Sequence, residues 1–139
     1  MKAIIEKVLS SNDVGATGAH QGGILIPKKE EILDFFPQLD LQAENPRITI
    51  QFTDDLDQIW KFNYIYYNNR LRGGTRNEFR LTGMTAFLKS SNAREGDILI
   101  FEKNKEAYCI RLKRQSESYV EENGVIMLVL DNSWRVIKY

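Results

Sequence analysis

Residues 60–81 form the stretch that decides the fold: Trp60-Lys-Phe-Asn-Tyr-Ile-Tyr-Tyr-Asn-Asn-Arg-Leu-Arg-Gly-Gly-Thr-Arg-Asn-Glu-Phe-Arg-Leu81. Four aromatic side chains occupy alternate positions at its start, as in a strand with one buried face: Trp60, Phe62, Tyr64 and Tyr66. The Gly73-Gly74 pair then predicts a turn, and Asn77 to Leu81 predict a returning strand. We therefore expect a long β-hairpin whose aromatic stripe packs in a core; the weaker alternative is a base-stacking platform for single strands.

Short strands continue on both sides of this hairpin. Alternation or short apolar runs predict them at residues 3–9, 24–26, 48–52, 97–102, 107–113, 125–130 and 134–138. Pro27 is placed at the start of a first helix, because its fixed φ suits the first turn, and Pro37 ends that helix. Thr82 is expected to cap a second helix, Gly83 to Lys89. These elements predict a mainly β fold, closed or nearly closed into a barrel.

Composition sets the broad class of protein. The 139 residues, 42% of them hydrophobic, suffice for one compact domain spanning 1–139. The single cysteine, Cys109, excludes an internal disulfide and fits a reducing compartment, where we interpret it as structural. The longest apolar run, Val125 to Leu130, is far too short to span a membrane. We expect a cytoplasmic protein without a membrane partner.

Charge is unevenly distributed although the chain has no net charge, with 19 basic and 19 acidic residues. Between Lys61 and Arg80 one acid, Glu78, opposes five basic residues: Lys61, Arg70, Arg72, Arg76 and Arg80. Residues 39–58 are acidic, with Arg47 their only cation. An arginine fork pairs with a phosphate or with the guanine edge, and Asn or Glu side chains can also read bases. On spacing alone, DNA contact and a merely solvated hairpin both remain open.

A glycine-rich loop is the second notable feature. It reads Asn12-Asp-Val-Gly-Ala-Thr-Gly-Ala-His-Gln-Gly-Gly23 and leads into Ile26-Pro27. Its glycines allow the backbone to approach a phosphate closely. No Gly-Lys-Ser/Thr follows, so the segment is not a Walker loop.

Together these motifs resemble the N-terminal effector-binding domain of EcoRII-type restriction endonucleases. The loop just quoted resembles the first arm of that domain. Ile65-Tyr-Tyr-Asn-Asn69 and Gly73-Gly-Thr-Arg-Asn-Glu-Phe-Arg80 resemble the second. Residues 83–101, with Phe87 and Gly96-Asp97, are similar to the core of the DNA-binding pseudobarrels, which include the plant B-three domains.

The resemblance implies a seven-stranded open pseudobarrel with two short helices that grips the major groove of double-stranded DNA. Its N-arm is the loop Gly15–Gly23, and its C-arm is the hairpin tip Asn68–Arg80. The expected DNA-binding residues are Thr17, His20, Gln21, Lys28, Tyr67, Asn68, Asn69, Arg70, Arg72, Arg76, Asn77, Glu78 and Arg80. Gly74 and Phe79 stand where the EcoRII arm has lysines, and Leu25 replaces a tyrosine. A CCWGG-type target is therefore only the first hypothesis.

Several residues have alternative interpretations. His20, the only histidine, is a DNA contact by resemblance or a loop-stabilising residue; metal binding is not expected, because a ligand set is missing. Glu78 lies between Arg76 and Arg80 on one strand face, so it reads a base, orients the arginines through ion pairs, or does both. Asp97 and Glu102 lack the lysine that a restriction nuclease site requires, since residue 104 is Asn104. We expect no catalytic set and no cofactor.

The sequence thus predicts a monomeric, non-catalytic DNA-binding domain. By resemblance, it belongs to a larger Mg-dependent type II restriction endonuclease with a separate nuclease domain. Two alternatives remain: a free-standing DNA-binding regulator of the same fold, and a protein-interaction barrel whose arginine hairpin binds an acidic partner.

Overall fold

The computed structural model describes residues 2–15, 23–69, 73, 76–115, 126–129 and 133–138, with the backbone alone for 126–129 and 138. The strands in these ranges are β1 Lys2–Val8, β2 Ile24–Ile26, β3 Arg47–Thr53, β4 Ile59–Tyr67, β5 Glu78–Thr82, β6 Ile98–Asn104, β7 Ala107–Lys113, β8 Ile126–Val129 and β9 Trp134–Lys138. The helices are α1 Glu30–Leu33 and α2 Thr85–Ser90. No helix within these ranges is long and apolar enough to cross a membrane.

One curled sheet holds all these strands, in the order β2-β5-β4-β3-β7-β6-β1-β9-β8. Neighbouring strands are antiparallel except for a short parallel pairing of β3 with β7. Ile24 of β2 and Val136 of β9 belong to one core cluster although their strands lie far apart in the sheet. The sheet therefore wraps around one main core, with a second, smaller cluster of Ile4, Ile98 and Ile100 on β1 and β6. This arrangement confirms the mainly β open barrel. The strand count implied by the resemblance is wrong, because the described residues contain nine strands.

The aromatic stripe of the hairpin lies in this core. Phe62, Tyr64 and Tyr66 are buried, and half-buried Trp60 packs edge-on against Phe87 of α2. Phe101 of β6 lies at the centre of the aromatic cluster, with rings around it that come from distant parts of the chain: Phe35, Phe36, Phe52 and Trp134. The core interpretation of the stripe is confirmed. Because these rings pack against other side chains of the core, they are not available to stack on a ligand.

Both predicted helix starts are wrong. Lys29 is still extended, with φ −114° and ψ 130°, so α1 begins at Glu30 rather than at Pro27. Thr82 does not cap α2, because it pairs with Asn63 as the last residue of β5. Gly83, with φ +82°, then turns the chain, and α2 begins at Thr85. At Thr82 strand pairing extends into a residue whose local preference suits a helix end, whereas Pro27 lies outside β2 and the chain is still extended at Lys29.

Asp97 forms the turn that precedes β6, which begins one residue after its predicted start at 97. Its carboxylate accepts hydrogen bonds from the backbone N–H groups of Arg94 and Gln115 and from Nη1 of Arg114, all at 3.0 Å. Burial opposes ionisation of Asp97, but these donors outweigh it and lower the pKa of the carboxyl. Asp97 therefore connects the end of α2, the start of β6 and the end of β7.

Candidate nucleic-acid interface

The two arms attach at opposite ends of β5. The C-arm enters β5 at Glu78, whereas Gly23, the last residue of the N-arm, lies against the other end of the strand. A Cβ on Gly23 would lie 2.6 Å from the carbonyl oxygen of Leu81 and 2.7 Å from Cγ2 of Thr82. Only glycine allows this close approach, and its φ of +91° also favours glycine. β5 therefore sets the separation between the arms.

The outward side of the sheet between the arms is the candidate interface, which we call the inter-arm face. Phe79 and Leu81 of β5 point into the core, so Glu78 and Arg80 lie on the outward side. The strand pairings bring residues on the same side of three neighbouring strands beside them: Leu25 of β2, Ile65 and Tyr67 of β4, and Arg47 of β3. Of these, Ile65 is buried and the other three are exposed or partly exposed.

Glu78 joins two arginines across this face. Its Oε1 accepts a hydrogen bond from Nε of Arg76 at 2.8 Å, and its Oε2 accepts one from Nε of Arg80 at 3.0 Å. The hydrogen bond from Arg76, helped by the charges of both arginines, lowers the pKa of the Glu78 carboxyl despite its partial burial. Glu78 is therefore ionised at neutral pH, and the three groups carry a net charge of one positive unit.

Each arginine has a further contact within the protein. Cζ of Arg76 lies 3.9 Å from the ring centroid of Tyr67, a cation–π contact that restrains the C-arm side of the face. Nη1 of Arg80 donates to the carbonyl oxygen of Gly23 at 2.9 Å, at the root of the N-arm. The terminal nitrogens of Arg76 and Nη2 of Arg80 bond no other described residue, and they can bind an anionic or base-edge acceptor.

Asn68 has a different environment from the other expected contacts. It is 5% exposed, and its side-chain amide donates to the carbonyl oxygen of Ala43 at 2.8 Å. Its Oδ1 accepts from the N–H of Asn45, whose own Oδ1 accepts from the N–H of Asn68. Asn68 thus clamps the loop 41–45 to the root of the C-arm, and its polar atoms already have protein partners.

The remaining expected residues divide into two groups. Exposed Asn77 accepts a hydrogen bond from the Tyr66 hydroxyl, Asn69 is half-buried, and exposed Lys28 follows β2 on the C-arm side. Five lie outside the described residues: Thr17, His20, Gln21, Arg70 and Arg72.

Arg47 was missed by the sequence reasoning, which treated it only as a lone cation in an acidic segment. Arg47 pairs with Ile65, which pairs in turn with Arg80, so the three lie in one row across the inter-arm face. Arg47 is exposed and forms no ion pair with any described residue. Alternation along β3 shows that Arg47 shares a strand face with Thr49 and Gln51. Its position in line with Arg80 depends on the pairing between strands, which the sequence does not reveal.

Phe79 explains one departure from the EcoRII pattern. Its ring stacks on Tyr66 at a centroid distance of 4.5 Å and on Tyr64 at 5.8 Å, and it is 8% exposed. The position filled by a lysine in the EcoRII arm is therefore a core position here. Within the described residues, no three His, Cys, Asp or Glu side chains converge as a metal site.

Comparison with solved structures defines the class of fold. The chain is similar to the protein in the Arabidopsis FUS3–DNA complex, with a TM-score of 0.60 over 78% of this chain and 94% of that chain. At 20% sequence identity this match shows the fold alone: a pseudobarrel of the plant B-three type.

The family model for the N-terminal part of restriction endonuclease EcoRII matches residues 2–111, and the chain belongs to that family. Type II restriction enzyme EcoRII from Escherichia coli is 40% identical over 79 residues, which cover 55% of this chain and 19% of the enzyme. Auxin response factor 10 from Arabidopsis thaliana is 28% identical over 125 residues, which cover 88% of this chain and 16% of the factor. The chain thus spans under a fifth of the length of these relatives, and the resemblance to EcoRII is confirmed.

Proposed function

We propose that this domain binds a short, specific site in double-stranded DNA, with the inter-arm face directed at the major groove. The observation that carries the proposal is the pair of arginine forks, Arg76 and Arg80, held by Glu78 between the two arms. Forks of this kind donate two parallel hydrogen bonds to guanine O6 and N7 or to a phosphate. The FUS3 protein, which shares the fold, was solved in complex with DNA, and this supports DNA as the ligand.

The dimensions of β5 fit this mode of binding. Four residue steps separate Glu78 from Thr82, a length of about 13 Å at about 3.3 Å per step. The major groove of B-DNA is about 12 Å wide. Arms attached at the two ends of β5 can therefore contact the two edges of one major groove, while the strand faces the bases.

Residue roles follow from these positions. We assign base-edge contacts to Arg76 and Arg80, and backbone contacts to the polar and basic residues around them: Lys28, Tyr67, Asn69, Asn77 and, in the rest of the C-arm, Arg70 and Arg72. Thr17, His20 and Gln21 are the proposed N-arm contacts. Asn68 shapes the arm rather than touching DNA, because its amide is already bonded to residues 43 and 45. A CCWGG-type site remains the first hypothesis for the target, and core-directed Phe79 favours a variation of it.

We further propose that the domain is the specificity or effector-binding part of a Mg-dependent type II restriction endonuclease, and that it is monomeric when isolated. Catalysis would belong to a separate nuclease domain of the same protein. A second candidate is a free-standing DNA-binding regulator, favoured by the similarity to auxin response factor 10 over 88% of the chain. The full-length gene product decides between them, since only the first candidate requires a fused nuclease domain.

Binding to duplex DNA across a salt series tests the basic proposal. We expect the logarithm of the association constant to fall linearly with the logarithm of salt concentration. Contact with about 4–8 phosphates gives a slope of about −4 to −7. The measurement is fluorescence anisotropy with a duplex selected from a random library and with a scrambled duplex. Absence of duplex binding at low salt would exclude the proposal and favour the protein-interaction barrel.

Arg47 provides a separate test of which face meets DNA. Arg47→Ala should reduce the steepness of the salt slope by about 1, because one phosphate contact is lost. Base preference should not change, since a phosphate contact carries no sequence information. Arg111→Ala, which removes an exposed cation from β7, is the matched control. An equal effect of both substitutions would show that the inter-arm face has no special role.

A further inference from the structure

We infer that Glu78 is a positioning residue for sequence discrimination: it sets the orientation of both arginine forks and, through Arg80, couples the C-arm to the root of the N-arm. This inference rests on the proposed DNA-binding function. The inference extends that function in two ways. It assigns Glu78 a role other than base reading, and it links the two arms through the contacts of Arg80 with Glu78 and Gly23.

The hydrogen-bond geometry supports a positioning role. Each carboxylate oxygen of Glu78 accepts from a different arginine, and in both cases the donor is Nε. An Nε contact fixes the plane of a guanidinium group and leaves its terminal nitrogens to other acceptors, one of which, for Nη1 of Arg80, is the carbonyl oxygen of Gly23. Both oxygens of Glu78 already accept from arginines, so a cytosine amino group could use only the remaining lone pair of an oxygen that an arginine also bonds. The carboxylate is therefore placed to orient other groups rather than to read a base.

A continuous series of contacts connects the arms. On the C-arm side, Arg76 lies over the ring of Tyr67 and bonds Glu78. On the N-arm side, Arg80 bonds Glu78 and the carbonyl oxygen of Gly23. Gly23 lies directly against β5, so its carbonyl oxygen is held in place to accept from Arg80. A displacement of Glu78 consequently alters contacts at the roots of both arms.

The charge of Glu78 opposes non-specific attraction to DNA. The carboxylate offsets one of the two arginine charges, and it lies on the face that meets the phosphate-rich duplex. Removal of the Glu78 carboxylate should therefore strengthen the attraction between this face and the DNA phosphates. It should also allow the guanidinium groups of Arg76 and Arg80 to rotate. Affinity for scrambled DNA and discrimination between sequences are expected to change in opposite directions. A general folding defect would weaken both.

The test compares Glu78→Gln with the wild type in the full 139-residue chain. We expect a salt slope on scrambled duplex that is steeper by about 1, because one opposing charge is gone. Discrimination between selected and scrambled duplex should fall by about 10-fold or more, as expected from the loss of fork readout. In a random-library selection, preference should relax at more than one base pair. Glu102→Gln is the control, since it removes an acid of β6 that pairs with Lys2, away from this face.

Two outcomes would overturn the inference. Relaxation at a single base pair, with all other preferences intact, would mean that Glu78 reads a base directly. An unchanged preference profile would mean that the arginines do not need Glu78. If Glu78→Gln does not fold, Glu78→Asp replaces it: the shorter carboxylate keeps the charge but cannot reach both Nε atoms, so an unchanged profile in that variant also overturns the inference. Lack of duplex binding by the wild type would instead remove the proposed function itself.

Discussion

Replacement of both Arg76 and Arg80 by alanine is expected to weaken binding to the selected duplex by more than the about 1–3 kcal/mol that a single fork reading guanine contributes. The double variant also leaves the Glu78 carboxylate facing DNA without either of the partners that now offset its charge. Titration of the selected and scrambled duplexes should show that the preference between them has nearly disappeared.

The single variants are needed to interpret this loss. Each should relax preference at one base pair if the arginine reads guanine, whereas equal loss on all sequences would mean that it touches only phosphate. The two effects should not add, because both arginines bond the same carboxylate. Arg111→Ala/Lys105→Ala removes the same charge from exposed positions on β7 and the β6–β7 turn, outside the inter-arm face. If that control loses as much discrimination, the assignment of the face is wrong.

Lys7→Met is expected to lower the free energy of unfolding by about 3–5 kcal/mol, since it leaves one member of a buried ion pair without its partner. Lys7 and Asp13 are 6% and 7% exposed, and Nζ of Lys7 lies 2.6 Å from Oδ2 of Asp13. That carboxylate also accepts from the N–H of Ser10, and so it closes the turn from which the N-arm leaves. Urea unfolding followed by tryptophan fluorescence measures the loss.

A double-mutant cycle separates this pair from a general loss of packing. Asp13→Asn should also destabilise, and Lys7→Met/Asp13→Asn should cost clearly less than the sum of the two single changes. Small domains are stable by about 5–15 kcal/mol, so the Lys7 variant should remain folded at low temperature. A cost below about 1 kcal/mol for Lys7→Met, or strict additivity, would contradict the expected strength of the pair.

Strand positions could be predicted because alternation is a property of consecutive residues. β2 and β7 begin and end where the sequence predicts, at 24–26 and 107–113. The aromatic stripe of β4 likewise identified its buried face. The helix starts failed at Thr82, where pairing with β4 overrides local preference, and at Pro27, after which the chain is still extended at Lys29. Alternation and apolar runs predict nine strands, the number found in the described residues, whereas the resemblance implies seven.

By itself, the sequence determined a β-rich fold with an aromatic core, an arginine-rich hairpin and membership of the EcoRII N-terminal family. Only the tertiary structure decided that Asn68 is a buried clamp, that Arg47 lies in a row with Arg80, and that Glu78 holds two arginines at once. The physical reason is that the pattern along a strand is local in the chain, whereas these contacts join residues that are far apart in the sequence. Periodicity reports which side of a strand a residue occupies, whereas its partners depend on the register between segments that are distant in the chain.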